Sequence, residues 1–184
     1  MKPETKYGLL TGAGVCLWTL AEHALGFHTT RFAIGEYSGY FSCIIPLTLL
    51  FLLLQSRRDA TADGRLALGQ GVRSGLHASL VAGLVVWFFM LVYNRFINPG
   101  WMDLALDWKV AQLRLQGVAE TAIREQIQFY RRMSSPLGCF TGIVLGSALT
   151  GAAFSFLLTL LLRRRPRAFA PVSQSGNRGQ TPGP

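Results

Sequence analysis

Four long apolar runs constrain the fold more than any other feature of this sequence. They lie at about residues 7–25, 37–54, 74–93 and 137–162. Each is long enough to cross a hydrocarbon core of about 30 Å at about 1.5 Å per helical residue. Hydrocarbon offers no partner for free backbone groups, and the strict alternation of barrel strands is absent, so helices are the expected spanning form. The sequence therefore predicts an all-α, polytopic membrane protein with four transmembrane helices.

The charge pattern fits a membrane chain better than a nucleic-acid-binding one. Charged residues make up 15% of the 184 residues, against about 25% in an average soluble domain, and the net charge is +9. The arginines border the apolar runs, where they orient helices and meet anionic headgroups. The expected partner is the lipid bilayer, and no nucleic-acid partner is expected.

The distribution of basic residues predicts the topology. The N-terminal segment, the second loop and the C-terminal tail hold eleven of the 18 Lys and Arg residues, and the first and third loops hold seven. An excess of positive charge marks the cytoplasmic side, which predicts a cell (inner) membrane protein with both termini in the cytoplasm. The expected organisation is a transmembrane domain over residues 1–165 and a disordered cytoplasmic tail over 166–184, because the residues beyond Pro171, mainly Ser, Gln, Gly, Asn and Pro, offer almost no apolar side chains to fold on.

The third connection, 94–136, is the one substantial region outside the predicted spans. Periodic apolar residues predict one helix from Asp103 to Gln116 and another from Ala119 to Met133, with Gly117 between them. The expected apolar face of the first helix consists of Leu104, Trp108, Ala111 and Leu115. Such an amphipathic pair can cap the bundle, lie flat on the membrane or bind a partner.

Small residues recur at four-residue spacing, which places them on one face of a helix and lets two backbones approach closely. The predicted helix-packing glycines are Gly71, Gly75 and Gly83 in the third span and Gly138, Gly142 and Gly146 in the fourth. The sequence leaves open whether these faces meet within one chain or between chains.

Glu22 and His23 form the one ionisable pair within a predicted span. Such residues are costly inside a membrane and raise a functional hypothesis. Three interpretations remain open: interfacial side chains that reach water, a proton site or polar gate, and a metal site, with His28 and Glu36 nearby. His77 is expected at the opposite side of the membrane, where it cannot join the same site.

Familiar catalytic signatures such as HExxH, GxSxG and GxxxxGK[ST] are absent from the sequence. An enzyme is therefore not expected, and no catalytic residue, metal or cofactor is predicted. The leading hypothesis is a non-enzymatic accessory, assembly or self-associating subunit that acts through helix–helix contacts. The alternative is a small oligomeric transporter or proton-coupled module that uses Glu22 and His23.

Several short stretches, taken in their order and spacing over about residues 5–165, resemble a known family. These stretches are Lys6-Tyr7-Gly8-Leu9, Gly39-Tyr40, Arg57-Arg58, Leu68-Gly69-Gln70-Gly71, the segment from Tyr93 to Pro99, and Ser135-Pro136-Leu137. The chain resembles the membrane family catalogued as domain of unknown function 4199. The resemblance implies a bacterial membrane protein with four helices, and it brings no activity, cofactor or catalytic residue with it.

Overall fold

The computed structural model describes residues 1–62 and 64–163, and over these residues the chain is helical and contains no strand. This confirms the predicted all-α class. The helices, in chain order, are α1 (Pro3–Ala24), α2 (Phe32–Ser42), α3 (Ile44–Asp59), α4 (Leu68–Val92), α5 (Trp101–Leu115), α6 (Glu120–Met133), α7 (Pro136–Cys139) and α8 (Gly146–Arg163). Two short π-helical segments, Tyr93–Ile97 and Phe140–Leu145, continue α4 and join α7 to α8.

Three helical stretches of the described chain are long and apolar enough to cross a membrane. They are Phe32–Asp59, Leu68–Ile97 and Pro136–Leu162, with 28, 30 and 27 residues. They contain the predicted runs 37–54, 74–93 and 137–162. Helix α1 covers most of the run 7–25 but does not reach the same apolar character, because its last turn carries Glu22 and His23. Four transmembrane helices were expected; three long apolar spans are found, and the crossing by α1 stays a prediction.

Pro46 accounts for the interruption between α2 and α3. A proline inside a helix has no N–H to donate to the carbonyl four residues earlier, and its ring crowds that carbonyl. For Pro46 this is the carbonyl of Ser42, the last residue of α2. The α-helix is interrupted at the next residue, Cys43. The second apolar stretch is therefore interrupted near its middle.

Helix α4 packs between α1 and α8. A methyl group at Gly8 would lie 2.6 Å from the Ala78 carbonyl, and one at Gly12 would lie 3.2 Å from the Ala82 carbonyl, so α1 and α4 run parallel. Gly75 faces Ser155 and Gly83 faces Ser147 and Val144, so α4 and α8 run antiparallel. Small residues at these crossings allow the backbones to approach closely.

One end of the bundle gathers the start of α1 and the ends of α3 and α8. Leu53, Leu54 and Leu162 are buried together there. Ser74 donates to Glu4 at 3.0 Å, and Arg57 lies 3.4 Å from the same carboxylate. Burial raises the pKa of Glu4, but backbone and Ser74 hydrogen bonds and the Arg57 charge outweigh it, so the pKa is lowered overall.

The predicted tail, 166–184, lies outside the described residues.

The third connection contains the two expected helices, α5 and α6, with Gly117 between them at a φ of +73°. The predicted apolar face of α5 is wrong in part. Leu104 and Leu115 are 47% and 82% exposed, whereas Leu106 and Leu113 are buried. Apolar residues occur on several sides of α5, so their periodicity does not identify the buried side. Aromatic contacts of Trp101, at the start of the helix, help to fix which side is buried.

Candidate functional site: a buried polar cluster at the other end of the bundle

The Glu22 carboxylate is buried at the end of α1 opposite to Glu4. Glu22 is only 8% exposed. The Trp18 indole, one turn earlier, donates to Glu22 Oε1 at 2.8 Å, and the Ser38 hydroxyl from α2 donates to the same oxygen at 2.6 Å. Buried carboxylates are retained when hydrogen bonds compensate for lost hydration. Two helices therefore combine to hold this group away from solvent.

His28 links the carboxylate to the third apolar span. Its Nε2 atom lies 3.5 Å from Glu22 Oε2, and its Nδ1 atom lies 2.8 Å from the hydroxyl of Tyr93. Tyr93 is completely buried at the junction of α4 and its π-helical extension. Because a neutral imidazole has one donor and one acceptor nitrogen, an Nε2–H directed at the carboxylate leaves Nδ1 to accept from the Tyr93 hydroxyl.

Asn98 completes the cluster on the far side of Tyr93. Its amide nitrogen lies 3.4 Å from the Tyr93 hydroxyl and 3.4 Å from His23 Nδ1, so it can donate to both. The π-helical turn is closed by the Asn98 N–H, which donates to the Tyr93 carbonyl at 2.9 Å. This turn brings the Asn98 side chain back to Tyr93, and single π-helical turns occur frequently at functional sites. We name Glu22, His23, His28, Ser38, Tyr93 and Asn98 the Glu22 cluster.

Helix α5 covers the Glu22 cluster from outside. The Trp101 ring lies 5.7 Å from the His28 ring and 6.4 Å from that of Tyr93. Further along the same helix, Trp108 stacks on Phe32 at the start of α2. Among the expected roles of the connection, these contacts correspond to capping of the bundle.

Glu36, which the sequence places near Glu22, lies outside the cluster. Its carboxylate is partly exposed and accepts from Lys109 of α5 at 2.9 Å. Within the described part of the chain, no group of three or more His, Cys, Asp or Glu side chains is placed to hold a metal ion. Of the three interpretations of the pair Glu22 and His23, the metal site finds no ligand group among these residues, and the proton-site and interfacial interpretations stay predictions.

Burial is the largest influence on the pKa of His28. Desolvation lowers the pKa of His28 below its ordinary value of 6.5; the Glu22 carboxylate raises it, and the neighbouring His23 lowers it further, with a net decrease. A base with a lowered pKa binds fewer protons in the folded state than in the unfolded chain. Folding stability contributed by His28 is therefore present above about pH 6.5 and is lost progressively as the pH falls below that value.

We expect the thermal transition of the protein to fall on acidification below about pH 6.5, and to fall less in His28→Gln. The measurement is melting monitored by circular dichroism in detergent between pH 8 and pH 5. His77→Gln is the matched control, because His77 lies beside Thr5 at the opposite end of the bundle. Equal pH dependence in wild type and His28→Gln would contradict this account of the buried imidazole.

The sequence identified Glu22, His23 and His28 but missed Ser38, Tyr93 and Asn98. The sequence gives only weak indications of the contacts to Glu22. Trp18 precedes Glu22 by four residues, a spacing that places both side chains on one helix face. Tyr93 and Asn98 belong to the polar segment that ends the third span. No pattern within a single segment indicates that these side chains meet.

The six predicted packing glycines fall into two groups. Gly71, Gly75 and Gly83 make close contacts with α8 or the π-helical segment before it, and Gly138 packs against Arg132 and Met133 of the preceding turn. Methyl groups at Gly142 and Gly146 would meet nothing within 4 Å. The contact face of α8 instead comprises Ser147, Gly151, Ser155 and Thr159.

Comparison with known proteins gives a family and nothing more specific. No curated protein and no solved structure matches the chain. A family model described as a protein of unknown function, DUF4199, matches residues 6–164. This match covers nearly the whole chain described above, including all the residues of the Glu22 cluster. The chain therefore belongs to the DUF4199 family.

Proposed function

We propose that the chain is a non-enzymatic integral membrane protein of four transmembrane helices that acts, as an oligomer, as a small proton-coupled module. The observation that carries this proposal is the buried Glu22 carboxylate, held by Trp18 and Ser38 and followed by His28 and Tyr93. A carboxylate, an imidazole and a phenol in sequence are groups that exchange protons. Chains of such side chains mark proton relays in membrane proteins.

The arrangement of the helices supports α1 as the fourth transmembrane helix. Helix α1 lies parallel to α4 along the contacts of Gly8 and Gly12. Leu9, Leu10 and Leu17 are exposed on its outer side, where lipid would cover them. With four crossings, the start of α1 and the end of α8 lie at one face of the membrane, and the excess of basic residues assigns that face to the cytoplasm. The membrane is then the inner membrane of a bacterium.

Replacing Glu22 tests the proposed function. We expect Glu22→Gln, which keeps the shape and loses the titratable group, to reduce proton flux to the level of protein-free vesicles. The measurement is the response of an enclosed pH-sensitive dye after a pH gradient is imposed across proteoliposomes. Glu125→Gln is the control, because Glu125 is an exposed acid of α6. Wild-type flux equal to that of empty vesicles, or normal flux in Glu22→Gln, would refute the proposal.

A second candidate function, a self-associating or accessory subunit, is favoured by the outer face of the fourth apolar span. Gly142 and Gly146 are four positions apart, a methyl group at either would meet nothing within 4 Å, and Leu145 and Leu149 beside them are exposed. Paired glycines at this spacing are a common contact between transmembrane helices. Self-association through this face is also compatible with a proton-coupled oligomer.

A further inference from the structure

A cleft of about 380 Å³ opens between the helices at the depth of the apolar spans. Residues of α1, of the α2–α3 stretch, of α4 and of the fourth span line it, including Thr11, Leu47, Val86, Thr150 and Phe154. Its volume lies in the range of about 300–1,000 Å³ that is usual for ligand pockets. Ser42, Cys43 and Pro46, at the interruption between α2 and α3, all lie in its wall.

Most of the Ser and Thr hydroxyls in the wall are already engaged by backbone carbonyls. Thr11 donates to the Tyr7 carbonyl at 2.8 Å, Ser42 to that of Gly39 at 2.6 Å, and Thr150 to that of Gly146 at 2.8 Å. These three hydroxyls are directed back to their own helices, as is common for Ser and Thr within helices, and Ser147 donates to the Ser79 carbonyl of α4 at 3.2 Å. A polar substrate would give up hydrogen bonds to water and find few donors in the cleft to replace them. A hydrocarbon chain makes no such hydrogen bonds and loses none on entry.

Positive charge borders the cleft at the end where α1 begins. Tyr7 and Leu53 line the cleft; Lys6 precedes Tyr7, and Arg57 follows Leu53 by one helical turn. Arg57 is paired with Glu4, whereas Lys6 and Arg73 are exposed and form no ion pair with any described residue. Arg73 belongs to the same end of the bundle, because the adjacent Ser74 donates to Glu4. Clusters of basic residues next to transmembrane helices attract anionic lipid headgroups. The charge at this rim thus complements a negative headgroup whose chain would extend into the cleft.

We propose that this cleft is a binding site for one acyl chain of an anionic phospholipid. The cleft lies among membrane-spanning helices, so hydrocarbon chains surround its opening, and neither water nor empty space is favourable there. The acyl chain packs against Leu47, Val86 and Phe154, and the phosphate lies at the end of the bundle that carries Lys6 and Arg73. This site is separate from the Glu22 cluster, which lies at the opposite end of α1.

Photocrosslinking tests the site in the full chain. The protein is reconstituted in phosphatidylcholine vesicles with a trace of phospholipid that carries a photoreactive group on one acyl chain, with either a phosphatidylglycerol or a phosphatidylcholine headgroup. Labelled residues are then mapped by mass spectrometry. We expect labels to concentrate on the cleft residues, and the phosphatidylglycerol probe to label them several-fold more than its zwitterionic counterpart.

A matched pair of variants makes the result specific. Thr150→Phe fills the cleft and should lower cleft labelling several-fold, while Leu149→Phe, at the neighbouring 73% exposed position outside the cleft, should leave it unchanged. If Thr150→Phe does not fold, Leu47→Trp repeats the test from the facing wall. Labels spread evenly over all lipid-facing residues, or undiminished in the filled variant, would overturn the site. Equal labelling by both headgroups would overturn the preference for an anionic lipid.

Discussion

Replacing Gly75 by valine is expected to separate α4 from α8 and to destabilise the bundle strongly. A methyl group at Gly75 would lie 2.6 Å from Ser155 Cβ and would overlap the Ser155 hydroxyl. Ser155 is completely buried, and its hydroxyl donates to the Gly151 carbonyl at 2.6 Å, so rotation of this side chain would cost a buried hydrogen bond. Overpacking of a close interface typically costs about 1–3 kcal/mol, and occasionally more. The measurement is the unfolding free energy in mixed micelles of increasing denaturing detergent.

Gly142→Val is the matched control for this prediction. The change in intrinsic helix preference is similar, but a methyl group at Gly142 meets nothing within 4 Å, so the unfolding free energy should stay near that of wild type. If the exposed face of the fourth span joins two copies of the chain, the same variant should also shift the native mass towards the monomer. Equal stability of wild type and Gly75→Val would show that α4 and α8 do not pack as described.

The sequence was sufficient to predict the helices but not the faces on which they meet. Apolar runs of this length admit one regular form in hydrocarbon, so the three long spans were predictable from composition. The fourth span carries two neighbouring stripes of small residues, and the sequence does not indicate which one faces α4. Gly146 and Ser147 are successive residues of α8, so they point in directions about 100° apart. Methyl groups at Gly142 and Gly146 would meet nothing within 4 Å, whereas Ser147 and Gly151 contact α4.

The Glu22 cluster was predictable only in its local part. Glu22 and His23 are conspicuous because charge is costly in a span, and His28 follows within one short connection. Ser38 and Tyr93 are 16 and 71 residues away from Glu22 in the sequence. Ser38 reaches Glu22 from α2, and Tyr93, at the end of α4, joins the cluster through His28. Patterns within one segment cannot indicate which segments are neighbours. The burial of Glu22 is a property of the assembled bundle rather than of α1.

Tyr93 is the residue at which packing and polar contacts of the cluster can be separated by experiment. Its ring contacts those of His23, His28, Phe89 and Trp101, and the residue is completely buried. Tyr93→Ala should cost about 3–5 kcal/mol, as is usual when a large buried aromatic ring is removed. Tyr93→Phe keeps the ring and removes the hydroxyl from His28 and Asn98, which should cost about 1–3 kcal/mol because buried polar groups lose a partner.

The two variants also distinguish a structural cluster from a proton relay. In a relay, the Tyr93 hydroxyl is the link between His28 and Asn98, so Tyr93→Phe should reduce proton flux as strongly as Glu22→Gln while the protein remains folded. In a purely structural cluster, any change in flux would follow stability, and Tyr93→Ala would have the greater effect. The decisive comparison is flux per folded molecule in proteoliposomes, with Phe89→Leu as a control that alters a neighbouring ring without removing a polar group. Wild-type flux in Tyr93→Phe would mean that the line from Glu22 through His28 stabilises the end of the bundle and carries no protons.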